Sequence, residues 1–357
     1  MIGTSGARAL LVSLVATMAC GYGSPDGGYG TPPTAPPTQP PVDPAPASSP
    51  VNGLWTSSGS EPELLRISTE QLTASATLDP ATHITTPSAT LFTLNSVAFD
   101  DFGAMWGASQ DDSVLVGFVQ GSLTSSRSRT AKIVIRSNAR SLSAPSGLAF
   151  DQQNRLWVSN AETRTLVRYD AAQLQESGAP APAVILADVG HPTALAFDAQ
   201  GALWVADTRA HRLLKFASGK LETSGSPAPD VALTSTVNSL ANTAGLAFDR
   251  AGRLWVADAG RQTIVAYGAA QLTVSGSPAP AVVLTATSAS VGIPTGIAFD
   301  GEDDLWVVSG EGTLVQYDHA ELVASGAPRP TVTLRIRNRT LFWSVAFWPK
   351  PAGLPLN

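Results

Sequence analysis

Short apolar runs recur along the chain at a nearly fixed interval, and each is followed by a polar turn and a second apolar run. Five runs end in Ala-Phe-Asp and a sixth ends in Ala-Phe-Trp, with the phenylalanines at Phe99, Phe150, Phe197, Phe248, Phe299 and Phe347. Their spacings are 51, 47, 51, 51 and 48 residues. A tryptophan follows each of the first five phenylalanines by seven residues: Trp106, Trp157, Trp204, Trp255 and Trp306. An internal repeat of this period is typical of propellers and solenoids.

Each repeat predicts four short β-strands. In one repeat the run that ends at Phe197 is the first strand, residues 198–201 (Asp-x-x-Gly) form a tight turn, and residues 203–206 are the second strand. A third strand, a short helical turn, a Ser-Gly-x-Pro-x-Pro segment and a fourth strand complete the unit, as at 166–186. The inner strands are continuous apolar runs, which indicates burial on both faces. Four strands per repeat are typical of a propeller blade.

The two ends of the chain supply complementary parts of one further repeat. Leu54-Trp55 and the strand at 64–67 have no first strand before them, whereas the run that ends at Phe347 has no strands after it. Joining the two parts completes a sixth blade and removes the free edges of the sheet array. We therefore predict an all-β fold, a six-bladed β-propeller with four-stranded blades, closed where the C-terminal strand joins the N-terminal blade.

The first 20 residues have the pattern of an export signal. Arg8 precedes an apolar run at 9–19 that is too short to span a bilayer, and Cys20 follows it. Cys20 is the only cysteine, so it cannot form an internal disulfide. The sequence Thr17-Met18-Ala19-Cys20 resembles the lipobox of bacterial lipoproteins, although that pattern has Leu, Val or Ile where this chain has Thr17.

The lipobox resemblance implies a signal peptide at 1–19, lipidation of Cys20 and attachment to a membrane through that lipid. Gly21 follows the cysteine, where retention in the inner membrane would require Asp, so we expect export to the outer membrane. The alternative is an ordinary cleavage site with an unmodified Cys20. Residues 20–52 are rich in Pro and Gly and predict an extended, disordered tether. The propeller is then expected at 53–357.

Composition excludes one class of partner. Only 14% of the 357 residues are charged and the net charge is −6, so the chain has no basic surface of the kind that binds nucleic acid. We expect a monomer with no nucleic-acid partner.

The repeat sequence is similar to that of a known group of propellers. Gly-Leu-Ala-Phe-Asp-x-x-Gly-x-Leu-Trp-Val-Ala-Asp, complete at 245–258, resembles NHL-type propellers and the broader gluconolactonase and regucalcin-like group. The resemblance extends over about residues 53 to 348. It implies the fold but not the function, because this fold supports enzymes, scaffolds and receptors.

The resemblance also implies where a metal would be bound. In gluconolactonase-like enzymes, Glu, Asn and Asp side chains just before the first strands hold a divalent metal on the propeller axis. The corresponding positions here are Asn95, Ser146, Thr193, Ala244, Thr295 and Trp343. Only Asn95 matches and none is a carboxylate, so we expect neither metal nor cofactor. A ligand from a neighbouring loop would restore the metal site.

Several residues stay candidates for binding at the axial mouth: Asn95, Ser146, Thr193, Thr295, His191 and Trp343. His191 precedes Pro192 at the start of a first strand, and streptogramin-lyase-like propellers use a histidine on such a face; the alternative is a solvated loop histidine. Trp343 either stacks on a sugar or peptide or seals the closing blade. We interpret the polar residues that end the second strands, such as Asp207, as acceptors for loop amides rather than as ligands.

The sequence therefore favours a non-catalytic binding or scaffold propeller, displayed on the cell envelope, with a protein or carbohydrate ligand at the propeller face. No catalytic residue is assigned, and the missing metal-ligand set argues against catalysis. The alternative is a metal-dependent, lactonase-like hydrolase or a streptogramin-lyase-like enzyme that acts at the axis. A structural spacer without a specific ligand is a third interpretation.

Overall fold

The computed structural model describes residues 51–59, 61–85, 93–235, 240–285 and 291–354. The predicted signal peptide, Cys20 and nearly all of the predicted tether lie outside these residues. None of the described helices is long and apolar enough to cross a membrane.

The described chain forms six sheets, which we number as blades in chain order. Each blade has four antiparallel strands, and two blades gain a short parallel strand at the outer edge: Ala76–Leu78 joins blade 6, and Arg127–Ser128 joins blade 1. Blade 1 contains β1 (Gly53–Ser58), β2 (Glu63–Ile67), β4 (Thr82–Thr85) and β26 (Phe342–Trp348); β3 (Ala76–Leu78) lies between β2 and β4 in sequence. Blade 2 contains β5 (Ser96–Phe99), β6 (Met105–Ser109), β7 (Val114–Phe118) and β9 (Ile133–Arg136), with β8 (Arg127–Ser128) before β9. Blade 3 contains β10 (Pro145–Phe150), β11 (Leu156–Asn160), β12 (Thr165–Tyr169) and β13 (Val184–Leu186).

The remaining three blades have the same plan. Blade 4 contains β14 (Pro192–Phe197), β15 (Leu203–Asp207), β16 (Arg212–Phe216) and β17 (Val231–Thr234). Blade 5 contains β18 (Thr243–Phe248), β19 (Leu254–Asp258), β20 (Thr263–Tyr267) and β21 (Val282–Thr285). Blade 6 contains β22 (Pro294–Phe299), β23 (Leu305–Ser309), β24 (Thr313–Tyr317) and β25 (Val332–Ile336). A short 3-10 turn follows the third strand of each blade: Thr69–Thr73, Gln120–Ser122, Ala171–Leu174, Ser218–Lys220, Ala269–Thr273 and His319–Val323.

The two ends of the chain close the ring as the repeat pattern predicts. β26 pairs antiparallel with β1, so the C-terminal strand is the innermost strand of the N-terminal blade. Leu54 lies opposite Phe347 and Thr56 opposite Val345. The Thr56 hydroxyl also donates to the Ser344 carbonyl at 2.7 Å. The prediction of a six-bladed propeller with this closure is confirmed.

The repeated aromatic residues pack between neighbouring blades. The Trp255 ring meets the Phe299 ring of the next blade edge-on, with centroids 6.1 Å apart. The same contact joins Trp204 to Phe248 and closes the ring between Trp306 and Phe347. Because the sheets bury both faces, these rings form an inter-blade core that recurs around the ring.

In blades 3 to 6, the aspartate after the repeated phenylalanine holds the turn and the tryptophan together. Asp249 accepts hydrogen bonds from the Arg253 amide and from the Trp255 indole nitrogen, both at 2.8 Å. Arg253 also forms an ion pair with this carboxylate. Asp300 of blade 6 accepts the Trp306 indole in the same way, but an aspartate occupies the position that corresponds to Arg253. Burial raises the pKa of Asp300 above its usual value, and the charge of Asp304 adds to this effect.

The Ser-Gly segments join the outer strands of neighbouring blades. The Ser224 hydroxyl of blade 4 accepts a hydrogen bond of 3.0 Å from the Ile185 amide on the outer strand of blade 3. Gly225 then forms a parallel bridge with Leu186. Equivalent serine-to-amide contacts occur at Ser75, Ser126, Ser177, Ser275 and Ser325. The outer edge of each blade is therefore paired by the following blade, which protects the edge from association with other chains.

Candidate functional site

A narrow cavity of about 70 Å³ lies on the propeller axis. Its wall contains the residues just before or at the start of the six innermost strands: Asn95, Ser146, Thr193, Ala244, Thr295 and Trp343. Two positions further along each strand, an aliphatic side chain contributes to the same wall: Val97, Leu148, Leu195, Leu246, Ile297 and Val345. Five of the six predicted axial candidates, all except His191, are thus brought together here.

Most hydroxyl groups around this cavity connect neighbouring blades. The Thr193 hydroxyl donates to the Thr243 carbonyl of blade 5 at 3.1 Å, and the Thr295 hydroxyl donates to the Phe342 carbonyl of blade 1 at 2.6 Å. The Ser146 hydroxyl lies 3.3 Å from the Thr193 carbonyl of blade 4. These contacts satisfy carbonyl groups at the inner edge of each blade, so the axial hydroxyls contribute to the assembly of the ring.

The other two axial candidates have different surroundings. The Asn95 side-chain oxygen accepts a hydrogen bond of 3.1 Å from the Gln110 amide, so it holds a loop of its own blade. Trp343 is partly exposed in the cavity wall, and a β-carbon added to Gly59 would lie 2.3 Å from its indole nitrogen. That nitrogen is buried without a hydrogen-bond partner among the described residues. Trp343 therefore both lines the cavity and packs against the closing blade.

A larger recess lies between blades 3 and 4, on the face where the second strands end and the third strands begin, which we call the loop face. This recess, the blade 3–4 groove, has a volume of about 490 Å³. His191 lines the groove and is absent from the wall of the axial cavity. The charged or titratable side chains of the groove are Glu162, Arg164, His191, Asp207, Arg209 and Arg212.

The short connection between the two blades opens this groove. Residues 187–191 join β13 to β14, whereas the longer segments 137–144 and 235–242 make the corresponding connections on either side. The spacing of 47 residues between Phe150 and Phe197 reflects the missing residues. Gly190 has a φ of 90°, and a β-carbon there would lie 2.1 Å from the Asp207 carboxylate. Only glycine therefore lets the connection pass so close to Asp207.

Asp207, only 1% exposed, organises the blade 4 wall of the groove. One carboxylate oxygen accepts the His191 amide at 2.9 Å and the Ala210 amide at 3.3 Å. The other accepts the Arg212 guanidinium at 2.8 Å. The interpretation of the residues that end the second strands as acceptors for loop amides is thereby supported for Asp207, and its amide donors come from the loops on both sides.

Among the described residues, two other arginines of the groove have no acidic partner of the kind that Arg212 has in Asp207. Within the described part of the chain, no ion pair or side-chain hydrogen bond joins Arg164 or Arg209 to another residue. Both residues are exposed at the groove wall. Glu162 of the same wall accepts the Ser143 hydroxyl at 2.9 Å. Arg164, Arg209 and Arg212 outnumber the carboxylates of Glu162 and Asp207 in the groove, so its charged side chains carry a net positive charge.

A separate acidic cluster lies on the opposite face. Asp304, Asp318 and His319 each have a ligand atom within 4.8 Å of the others. Asp304 accepts the His319 amide, and Asp318 caps the 3-10 turn by accepting the Ala320 amide, both at 2.8 Å. These carboxylates are thus used in local turn structure.

Sequence reasoning identified His191 but missed the arginines around it. Two sequence features point to this recess. The segment Thr208-Arg209-Ala210-His211-Arg212 is the most basic of the six loops between second and third strands, and the repeat from Phe150 to Phe197 is shortened to 47 residues. Neither signal alone shows that Arg164 of the preceding blade faces the same recess.

The fold and its loop-face groove define a six-bladed β-propeller with a recessed face. No protein-family model matches the chain, and no curated protein sequence matches it. A solved protein of unknown function from Bacteroides caccae aligns with a TM-score of 0.58 at 10% identity, over 82% of this chain and 97% of that one. A crystal structure of the nidogen/laminin complex aligns with a TM-score of 0.55 at 14% identity, over 82% and 96%.

A streptogramin B lyase structure aligns with a TM-score of 0.50 at 10% identity, over 78% of this chain and 83% of that one. At these identities, the three likenesses establish a shared propeller fold and carry no information about ligand or reaction.

Proposed function

We propose that this protein is a binding propeller of the cell envelope that holds its ligand in the blade 3–4 groove. One observation carries this proposal: a recess of about 490 Å³ combines side chains from two blades, including two arginines without an ionic partner in the described chain. The volume lies within the range typical of small-molecule sites, about 300 to 1,000 Å³.

The alternative, an enzyme that acts at the propeller axis, has less support from the axial cavity than the binding function has from the groove. Its volume of about 70 Å³ is far below that range, and its hydroxyl groups join neighbouring blades. The metal content of the purified protein tests this comparison. A stoichiometric, tightly bound divalent cation would favour the lactonase-like alternative over the binding function.

Ligand screening tests the binding function. Glycans and small organic molecules are screened against the wild-type chain and against Ala210→Trp, which fills the groove from an exposed position. Ala179→Trp, at an exposed position of blade 3 outside the groove, is the matched control. We expect hits that are lost in Ala210→Trp and retained in Ala179→Trp. Hits that bind both variants equally would place the binding site elsewhere.

The envelope location rests on the sequence of residues 8–20 and has its own test. We expect the wild-type chain to incorporate a labelled fatty acid and to fractionate with membranes. Replacing the sole cysteine, as in Cys20→Ser, should abolish the label and release the protein. Labelling that persists in Cys20→Ser would contradict the lipid anchor without affecting the groove.

A further inference from the structure

We propose that the blade 3–4 groove binds a small ligand through an oxyanion group, a carboxylate or a phosphate, held between Arg164 and Arg209. This inference rests on the proposed binding function and specifies the chemistry of the ligand.

The charges of the groove support this assignment. Arg212 forms an ion pair with the buried Asp207, so these two charges compensate each other. Glu162 accepts the Ser143 hydroxyl, keeps its negative charge and is the remaining acidic residue of the groove wall. Arg164 and Arg209 add two positive charges, although the whole chain has a net charge of −6. The groove is therefore locally cationic on an acidic protein.

The backbones that carry the two arginines are fixed from opposite sides of the groove. Arg164 occupies a left-handed turn position with φ of 59°, and its carbonyl accepts the Val189 amide of the short connection at 3.1 Å. On the blade 4 side, the Thr208 amide donates to the His191 carbonyl at 3.2 Å, and Asp207 holds the Ala210 amide. These contacts hold the backbone on both sides of Arg209. They limit the backbone entropy that is lost when a ligand binds.

The chemistry of guanidinium selects the ligand class. A guanidinium presents planar pairs of N–H donors that match the two oxygens of a carboxylate or phosphate. The groove wall also contains two small side chains, Ala161 and Ala210, which leave room for the body of a ligand beside the charged residues. The groove therefore suits a molecule about the size of a sugar that carries one oxyanion group.

Three probes with the same ring test this selectivity by calorimetric titration of the full chain. Glucose is neutral, glucuronate carries a carboxylate, and glucose 6-phosphate carries a phosphate. We expect at least one of the two anionic probes to bind about tenfold or more tightly than glucose, and the tighter one identifies the oxyanion. Equal affinity for glucose and both anionic probes, or no binding of either anionic probe at 10 mM, would overturn the proposal.

Substitutions locate the binding within the groove. We expect Arg164→Ala and Arg209→Ala each to weaken the anionic probe about tenfold, because each removes one charged donor. Arg329→Ala removes an exposed arginine outside the groove and should leave the affinity unchanged. An equal loss in Arg329→Ala would show only a general charge effect and would overturn the site.

The outcomes separate the ligand class from the binding function. If ligands found by screening are neutral, are insensitive to both arginine substitutions and are lost in Ala210→Trp, the groove remains the binding site but the oxyanion assignment fails. If screening hits survive Ala210→Trp, the proposed function itself fails.

Discussion

The indole nitrogen of Trp255 donates a hydrogen bond of 2.8 Å to the carboxylate of Asp249, six residues earlier in the chain. Corresponding bonds of 3.2, 3.2 and 2.8 Å join Trp157 to Asp151, Trp204 to Asp198 and Trp306 to Asp300. The contact fixes the turn between the first two strands and orients the tryptophan for packing against the next blade.

Removal of this carboxylate should destabilise the ring. Asp249→Ala leaves the buried Trp255 nitrogen, the Arg253 guanidinium and a turn amide without their acceptor, so we expect a loss of about 3 kcal/mol in the free energy of unfolding. Urea denaturation of Asp249→Ala, Trp255→Phe and the double variant measures the coupling. Additive effects of the two substitutions would show that the hydrogen bond does not couple them.

Ring closure depends on the C-terminal strand. Deleting residues 343–357 removes all but the first residue of β26 and leaves β1 and the inner edge of blade 1 exposed. We expect a sharply lower melting temperature, measured by circular dichroism or calorimetry. Deleting only 351–357 keeps β26 and serves as the control. An unchanged melting temperature in the longer deletion would contradict the closure.

The serine of each Ser-Gly segment should contribute separately to stability. Ser224→Ala removes the acceptor of the Ile185 amide, and we expect a cost of about 1 kcal/mol together with faster hydrogen exchange at that amide. Ser226→Ala, in the same segment, removes a hydroxyl that reaches Asp188 instead of the strand and should leave the Ile185 amide protected. Equal exchange in both variants would assign the protection to the Gly225 bridge alone.

Blade 6 should become less stable as Asp300 ionises. Because burial raises the pKa of Asp300 in the folded state, the folded protein binds this proton more tightly than the unfolded chain. The resulting cost is absent well below the usual pKa of aspartate and is fully present above the raised value.

A cation beside Asp300 should remove that cost. Gln316 pairs across the strand with Trp306, as Lys215 of blade 4 does with Trp204, and Lys215 forms an ion pair of 3.0 Å with Asp198. We expect Gln316→Lys to stabilise the protein by about 1 kcal/mol at pH 7, with the gain fading as the pH falls through the raised pKa of Asp300. Urea denaturation at pH 7 and at a pH below the usual pKa of aspartate measures the gain in the free energy of unfolding. Gln316→Met is the uncharged control. A gain that is the same at low pH would mean that Asp300 is not the partner.

The closing blade illustrates why much of this fold could be predicted. Leu54-Trp55 and Phe347 lie at opposite ends of the chain, but both carry the pattern of the internal repeats, so their partnership follows from the other five copies. Five of the six axial candidates line the axial cavity, whereas His191 lies in the blade 3–4 groove. Their hydrogen-bond partners were not predictable, because the Thr193 and Thr295 hydroxyls bond to carbonyls of the next blade.

The blade 3–4 groove shows more clearly which features could not be predicted from the sequence. By itself the sequence determined the strands, the number of blades and the closure, because each repeat encodes the same local turn and the same buried aromatic pair. Only the tertiary structure decided that Arg164 and Arg209 share one recess, because they belong to different blades and meet across a connection that is short at this position. A contact between repeats depends on how their backbones pack, and the local pattern within either repeat leaves that packing unspecified.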